Sequence, residues 1–340
     1  MVQTMKAMVF KKFGPPDVLH YEEIPMPSAG RNQVVIQVKA VSVNRVLDVS
    51  VRAGTATRHC ENLNLPHVPG VDPSGVVVET GDGVTKLQVG DHVSVTMMMP
   101  NGKLFGIACQ GANSEFAAVP MECCIKIPKE VPMADATVIA RHGPVAHNLL
   151  FNMGRLQAGQ WVLILGAAGN LGSIGIQLAK AAGAHVIGAA SSAAKAEVGK
   201  RLGADHSVDY SNSNLAEAVA DITGGDGVDL FYDNIANPEI CPLGLKSLKQ
   251  EGKMVTAGAH GGPVVPVDFD VIYHNRLTIM GNPRSNPKDA LPCFDAAAKG
   301  QLKAVIDRIV PLSDAPLMHG LLESADGQSV GKIILDPSQG

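Results

Sequence analysis

A short apolar run, a turn of small residues and a helical pattern follow one another near the middle of this chain. The run is Trp161–Leu165, the turn is Gly166–Gly172, and apolar residues then recur at helical spacing as far as Ala182. A helix that begins directly after such a turn offers free N–H groups and the positive end of its dipole to an anion. The segment therefore predicts the pyrophosphate-binding turn of a dinucleotide fold. The residues assigned to that turn are Gly166, Ala167, Gly169, Asn170, Leu171 and Gly172.

The glycine pattern of this turn departs from the strict G-x-G-x-x-G, because Ala167 stands where the first glycine belongs. A tight turn without a ligand is the alternative interpretation. The context favours cofactor binding, since Gly183 closes the helical pattern and His185–Ala190 has the composition of the next strand.

The composition excludes several classes of protein. The 340 residues are 46% apolar and 18% charged, which indicates a globular chain long enough for two domains. The net charge of −4 and the 4% aromatic content argue against a nucleic-acid partner. No apolar run reaches the ~18 residues of a membrane span, and residues 1–15 lack the apolar core of a signal peptide. We therefore expect a cytoplasmic protein without a membrane partner, whose six cysteines are free thiols.

The texture of the sequence changes near residue 130. Before it, short Val-rich strands are predicted at Lys6–Phe10, Gln33–Val43, Gly75–Glu79, His92–Met97 and Ser114–Val119. After it, strands are predicted at Trp161–Leu165, His185–Ala190, Val228–Asn234 and Lys253–Gly258. Helices alternate with them at Met133–Asn152, Ser173–Ala182, Ala193–Leu202, Asn214–Thr223 and Pro238–Lys249. This alternation indicates a doubly wound parallel sheet, 128–263, inserted into a mainly antiparallel β domain, 1–127 and 264–340.

The chain resembles the medium-chain dehydrogenase/reductase superfamily, and within it the zinc-free quinone oxidoreductase-like branch. The matching segments are Met5–Pro16, Pro69–Gly75, Gly81–Val93, Ser114–Phe116, Gly166–Gly172, Thr223–Asp229 and Asp233. The resemblance implies a GroES-like β domain, an inserted Rossmann domain and an active site in the cleft between them. It also implies an enzyme that binds a nicotinamide cofactor and forms a homodimer or homotetramer.

Three positions differ from the catalytic zinc site of the zinc-dependent relatives. Asn44 replaces their cysteine, Val71 replaces the histidine of a Gly-His-Glu triplet, and their third ligand falls near Arg141. Valine cannot bind a metal, arginine is a permanent cation and asparagine is a poor zinc ligand. The four clustered cysteines of their structural zinc are reduced to Cys109. We therefore expect neither zinc site.

The end of the predicted strand 185–190 indicates the choice of cofactor. An NAD site needs an acidic residue there, and this chain has Ala190. Ser191 or Ser192 can donate to a 2′-phosphate, Lys195 can supply positive charge, and Tyr210 matches a tyrosine that flanks the phosphate in quinone reductases. The predicted cofactor is therefore NADPH, although Lys195 as a solvated residue and Tyr210 as a packing residue are the alternatives. The remaining residues assigned to the cofactor are Asn234, Gly258 and, for the same phosphate, Lys332.

Without zinc, a hydrogen-bond donor or cation must stabilise the oxygen of the acceptor. Asn44 can donate to a substrate carbonyl or be a turn residue, and Asp48 can be catalytic or form a surface ion pair with Arg52. Arg141 can bind an anionic group or an oxyanion, and His142 can donate a proton or be structural. His147 completes the candidates for the cleft.

The predicted function is a zinc-independent, NADPH-dependent reductase that transfers hydride to quinones or to the activated C=C bond of α,β-unsaturated carbonyl compounds. One alternative is a zinc-free alcohol or carbonyl dehydrogenase that uses NADP. Another is a cofactor-binding protein without catalytic activity, such as a crystallin-like or RNA-binding relative. The sequence does not name the small-molecule acceptor.

Overall fold

A computed structural model describes residues 3–61, 63–259, 261–262, 264–282, 286–324 and 330–339. The chain divides into two units. The first comprises Met1–Arg141 and Ile306–Gly340, and the second comprises His142–Val305.

The strands, in chain order, are β1 Thr4–Val9, β2 His20–Pro25, β3 Gln33–Ser42, β4 Pro73–Thr80, β5 His92–Val95, β6 Phe116–Pro120, β7 Cys124–Lys126, β8 Trp161–Leu165, β9 His185–Ala190, β10 His206–Asp209, β11 Val228–Asp233, β12 Leu248–Thr256, β13 Thr278–Gly281, β14 Ile306–Pro311 and β15 Lys332–Asp336. The α-helices are α1 Ser50–Arg52, α2 Thr57–Cys60, α3 Met133–His147, α4 Asn170–Ala181, α5 Ala193–Arg201, α6 Leu215–Thr223, α7 Cys241–Lys246, α8 Phe269–His274, α9 Ala290–Ala298 and α10 Ala315–Glu323. Short π-helical segments lie at Arg45–Val49 and Asn148–Met153, and short 3-10 helices lie at Pro16–Val18, Met121–Cys123, Pro287–Asp289 and Leu312–Asp314.

The first unit is built around the long strand β3. The sheet order is β14-β15-β3-β4-β5-β7, and β6 also pairs with β3. All of these pairings are antiparallel except β14 with β15. β3 is almost wholly buried because its Val and Ile side chains pack into the core of the unit, with Val34, Ile36 and Val38 among them. The residues that follow Ser42 therefore lie next to the two strands that flank β3 at this end, β4 and β15.

The second unit is a six-stranded sheet in the order β10-β9-β8-β11-β12-β13, with every pairing parallel. β8 is buried from Val162 to Leu165, as a central strand covered on both faces must be. The strand order reverses between β8 and β11, so the crevice beyond their carboxyl ends is where such sheets bind ligands. The predicted Rossmann-type sheet is confirmed.

Local patterns predicted most elements of the second unit well. β8 and β9 have the predicted bounds, and α4 begins three residues before the predicted Ser173. The predicted helix 133–152 instead becomes α3 and then a π-helical segment, with Pro144, which has no backbone N–H, inside α3. The predicted helix 238–249 is shorter than expected because β12 already begins at Leu248.

The boundaries of the units differ from the predicted ones. Residues 264–305 belong to the second unit, because β13 continues the parallel sheet in the register Lys253↔Thr278. The first part of α3 belongs to the first unit, where the Thr137 hydroxyl donates to the backbone carbonyl of Asp72 at 2.6 Å. Contacts between segments distant in sequence, rather than composition, therefore set both boundaries.

Candidate active site

The predicted phosphate turn has the geometry that its sequence requires. Gly166 has a φ of +78°, and a Cβ on Gly172 would lie 2.1 Å from the Gly166 carbonyl oxygen, so only glycine fits there. Gly169 is the N-cap residue of α4, and as a glycine it has no side chain to accept from the helix N–H groups. The first N–H groups of α4 therefore receive no acceptor from the capping side chain, which suits the oxygen atoms of a pyrophosphate.

Asn234 and Gly258 lie beside this turn. The Asn234 amide donates to the Leu165 carbonyl at 2.6 Å, which ties the end of β11 to the end of β8. A Cβ on Gly258 would lie 2.3 Å from the Asn234 carbonyl oxygen. The second unit thus gathers Gly166, Asn234 and Gly258 at the carboxyl ends of its central strands, as expected for residues that line a cofactor.

The predicted 2′-phosphate residues also lie close together at the end of β9. The Ser191 hydroxyl hydrogen-bonds the Tyr210 hydroxyl, and the Tyr210 N–H donates to the Ala190 carbonyl at 3.0 Å. The Ser192 hydroxyl caps α5 by accepting from the Lys195 N–H at 3.4 Å. Among the described residues, no carboxylate lies within 4.0 Å of the half-buried Lys195 side chain. Its ammonium group is therefore available to an anion.

The first unit assembles a second group of polar residues at one end of its sheet. β15 pairs with β3 in the register Ile334↔Ser42, so Lys332 lies across from Asn44. β4 pairs with β3 in the register Val41↔Pro73, so Asp72 lies across from Ser42. The π-helical segment that follows β3 adds Asp48. We call Asn44, Asp48, Asp72 and Lys332 the polar cluster.

Asn44 is the centre of the polar cluster and is only 8% exposed. Its amide nitrogen donates to Asp48 Oδ2 at 3.0 Å and to both Asp72 oxygens at 3.2 Å, while its oxygen accepts from Lys332 Nζ. An amide has two N–H donors, and both are used here. The hypothesis that Asn44 donates to a substrate carbonyl therefore does not fit this arrangement.

Asp48 is buried, which contradicts its interpretation as half of a surface ion pair with Arg52. Its carboxylate accepts from the backbone N–H groups of Asn44 at 2.7 Å and Gly70 at 3.1 Å. Arg52 is itself fully buried and instead pairs with Glu323. Burial and the neighbouring Asp72 carboxylate raise the pKa of Asp48 from 3.8 to about 7.

Lys332 has a different neighbour from the one the sequence suggested. The sequence predicts that Lys332 holds the cofactor phosphate, yet in the structure its side chain is 6% exposed and donates to Asn44. Burial lowers the pKa of Lys332, while the Asp72 and Asp48 carboxylates oppose that shift. Lys332 is therefore better assigned to the polar cluster than to the phosphate.

Arg141 lies on α3, one helical turn beyond Thr137 and on the same helix face. Thr137 donates to the backbone of Asp72, so this face lies over the polar cluster, and Arg141 acts electrostatically on Lys332. The Arg141 guanidinium is half-buried and contacts Met97 Sδ at 3.0 Å. No carboxylate lies within 4.0 Å of it in the described part of the chain. Arg141 is therefore a cation able to receive an anionic group.

The two histidines of α3 differ in their surroundings. His142 is half-buried and, as the neighbour of Arg141 on a helix, projects about 100° away from it. His147 lies 3.3 Å from the Asp289 carboxylate and packs against the Phe151 ring. These contacts give His147 a structural role, whereas His142 stays a predicted proton donor.

Sequence reasoning missed Asp72 and Ser42 as parts of this site. The Ser42 hydroxyl donates to Asp72 Oδ1 at 2.9 Å, and the Asp72 carboxylate accepts from Asn44. The available signal was the acid at the start of the apolar strand 73–80, but 30 residues separate it from Ser42 along the chain. Only the register of β3 with β4 brings the two together.

Neither a metal-binding cluster nor a helix suited to crossing a membrane is found among the described residues. The described residues include no cluster of three or more His, Cys, Asp or Glu side chains arranged to hold a metal ion. Within the described ranges, none of the helices has the length and apolar character that a bilayer crossing requires.

Comparisons with known proteins agree with both units. Residues 30–129 match the family described as alcohol dehydrogenase GroES-like domain, and residues 171–299 match the one described as zinc-binding dehydrogenase. The chain is 33% identical to the 2-haloacrylate reductase of Burkholderia sp, over 98% of this chain and 99% of the relative. It is 27% identical to the quinone oxidoreductase of Pseudomonas aeruginosa, over 98% and 99%. The crystal structure of an NAD-dependent alcohol dehydrogenase superposes with a TM-score of 0.85 at 28% identity, covering 98% of this chain and 99% of that one.

The fold, the glycine turn and these relatives define an oxidoreductase of a family that uses a nicotinamide cofactor. The chain belongs to the medium-chain dehydrogenase/reductase superfamily, in its quinone oxidoreductase-like branch. The segment that matches the zinc-binding dehydrogenase family, 171–299, does not include Asn44, Val71 or Arg141, the positions at which the sequence resemblance predicts that zinc ligands are replaced.

Proposed function

We propose that this protein is a zinc-independent, NADPH-dependent reductase of quinones or of the activated C=C bond of α,β-unsaturated carbonyl compounds, and that it favours acceptors with a carboxylate. The observation that carries the proposal is Arg141, a half-buried cation beside a polar cluster whose central amide is already fully hydrogen-bonded. A 2-haloacrylate, the substrate in the name of one relative, is an α,β-unsaturated carboxylate. Such an acceptor has the anionic group that Arg141 can bind.

Each residue has a defined task in this proposal. When bound, the reduced nicotinamide supplies the hydride that reaches the electron-poor carbon of the acceptor. Arg141 orients the carboxylate and stabilises the negative charge that develops on the acceptor oxygen. His142 donates the final proton, since an imidazole exchanges protons near neutral pH. The polar cluster uses its hydrogen-bonding groups internally and does not contact the acceptor.

The choice of NADPH rests on the residues at the end of β9. Ser191, Tyr210 and Lys195 would hold the 2′-phosphate, since a carboxylate that would repel it is missing at Ala190. Lys195→Ala is expected to raise KM for NADPH about tenfold and to leave KM for NADH nearly unchanged, since one charge-assisted contact is worth about 1.5 kcal/mol. The exposed Lys200 of the same helix provides the matched control, Lys200→Ala. Equal effects of the two substitutions would contradict the assignment.

The acceptor class is tested by measuring NADPH and NADH oxidation with a 2-haloacrylate, cyclohexenone, benzoquinone and a simple ketone, each with and without chelator. Turnover of the first three without chelator sensitivity supports the proposal. Arg141→Ala should raise KM for the carboxylate acceptor at least tenfold and that for cyclohexenone less than threefold. Turnover of the ketone alone would instead indicate a dehydrogenase, the activity named for the structural neighbour.

We also propose that the protein forms a homodimer through the second unit. β13 is an edge strand of the sheet, and exposed apolar side chains lie on it and on α8, including Phe269 at 75% exposure, Tyr273 and Ile279. An exposed edge with apolar side chains is a surface on which strands pair between chains. Sedimentation velocity should show a dimer that Ile279→Lys dissociates, and a monomeric wild type would refute this proposal.

A further inference from the structure

The net charge of the polar cluster depends on Lys332. Above pH 7, where Asp48 is ionised, the cluster holds two carboxylates, Asp48 and Asp72, and one ammonium group, and all three side chains are buried. Buried charges persist only where opposite charges and hydrogen bonds compensate them. Lys332 is the compensating cation, since it donates to Asn44 and attracts both carboxylates.

Arg141 is a second cation that interacts with this cluster. It acts electrostatically on Lys332, and its helix is anchored to the Asp72 backbone through Thr137. With Lys332 in place, the carboxylates already have a positive partner, and the Arg141 guanidinium contacts Met97 instead. Without that ammonium, the two carboxylates would keep only neutral hydrogen-bond donors, and the positive charge of Arg141 would be drawn towards them.

We propose that Lys332 is a positioning residue of the reductase: it compensates Asp48 and Asp72, and so leaves the Arg141 guanidinium available for the anionic group of the acceptor. This inference rests on the function proposed above, because it concerns the same Arg141. It assigns specificity for acceptor charge to a residue that does not contact the acceptor. The register of β15 with β3, which brings Lys332 to Asn44, is what makes that control possible.

The test compares Lys332→Gln with the wild type at pH 8, where Asp48 is ionised. Glutamine retains an N–H donor for the Asn44 oxygen on a side chain one bond shorter, and it removes the charge. We expect KM for crotonate to rise at least tenfold and KM for methyl crotonate to change less than threefold, with kcat nearly unchanged for both. Binding of crotonate in the presence of oxidised cofactor, measured by calorimetry, should weaken by the same factor. Lys86→Gln, which removes an exposed lysine of the first unit, is the matched control and should match the wild type.

Two further variants separate charge from structure. Lys332→Arg keeps the positive charge. The double variant, Lys332→Gln with Asp72→Asn, loses one positive and one negative charge, so the net charge of the cluster is that of the wild type. Each should bring crotonate binding and KM back to within threefold of the wild type. Equal losses for crotonate and its ester, or no recovery in the double variant, would overturn the inference. If Lys332→Gln does not fold, crotonate binding by the double variant decides in the same way.

Failure of the proposed function gives a different result. If Arg141→Ala changes KM for crotonate and KM for methyl crotonate by the same factor, Arg141 does not bind the carboxylate and the proposed function fails. If Arg141→Ala is selective for crotonate and Lys332→Gln is not, the function stands and the positioning role of Lys332 is refuted.

Discussion

The raised pKa of Asp48 predicts an unusual dependence of stability on pH. In the folded chain this pKa is about 7, because burial and the Asp72 carboxylate disfavour the charged form, whereas its ordinary value is 3.8. Between these two values the folded state binds more protons at Asp48 than the unfolded state does. The contribution of Asp48 to stability is therefore greatest below pH 4, and it is lost as the pH rises towards 7.

The size of the effect follows from the shift. Each unit of pKa difference is worth about 1.4 kcal/mol, so the free energy of unfolding should lose about 2 kcal/mol through Asp48 between pH 5 and pH 7. Buried histidines act in the opposite direction over the same range. Burial lowers the pKa of His67, and it lowers that of His319 to about 3, with the Arg52 charge adding to the effect. The pH profile of the wild type alone would therefore hide the contribution of Asp48.

The measurement is chemical denaturation of the wild type and Asp48→Asn at intervals from pH 5 to pH 8. The other titrating groups cancel in the difference between the two proteins, so the advantage of the wild type should shrink by about 2 kcal/mol up to pH 7 and then level off. Asp82→Asn, at an exposed position, should give a flat difference over this range. A flat difference for Asp48→Asn as well would refute the argument that burial keeps its carboxyl group protonated up to about pH 7 in the folded chain.

Three further predictions concern other parts of the molecule. Gly172→Ala should abolish NADPH binding in a fluorescence titration, since the added Cβ would lie 2.1 Å from a backbone oxygen. Gly281→Ala is the control and should bind NADPH normally, since no other part of the described structure lies within 4 Å of its added Cβ. His319→Leu removes two buried ring nitrogens that lack a hydrogen-bond partner among the described residues, and it should gain about 2 kcal/mol relative to the wild type on going from pH 7 to pH 5 in the same denaturation assay. Glu323→Ala should lower the free energy of unfolding by about 2 kcal/mol, because it leaves the buried Arg52 guanidinium with only a backbone acceptor. The side chain of Glu323 is 35% exposed, so the loss is smaller than for a fully buried pair. An unchanged melting temperature would contradict this prediction.

Local patterns predicted the central strands and the cofactor turn of the second unit. β8 and β9 have their predicted bounds because each is a short apolar run between turn residues. The small residues of the turn 166–172 predict its geometry. The same holds for Ser191 and Tyr210, which the structure brings into contact at the end of β9. These features depend on neighbours in the chain or on the regular order of a parallel sheet.

The burial of the charged side chains could not be predicted from local patterns. The spacing of Asp48 and Arg52 fits an exposed ion pair on a helix, and nothing in the spacing shows which face is covered. In the structure both side chains are buried and each has another partner: Asn44 for Asp48 and Glu323 for Arg52. The partner of a charged side chain is chosen by packing, and packing involves elements that are distant in sequence.

The sequence by itself therefore determined the family, the parallel sheet and the cofactor turn, because these follow from contiguous patterns. Only the tertiary structure decided the composition of the polar cluster. Lys332 and Asn44 are 288 residues apart, and they meet because the last strand, β15, pairs with β3 in one particular register. A shift of that register by one residue would turn Lys332 to the opposite face of the sheet, so its role is a property of strand pairing rather than of the residues around it.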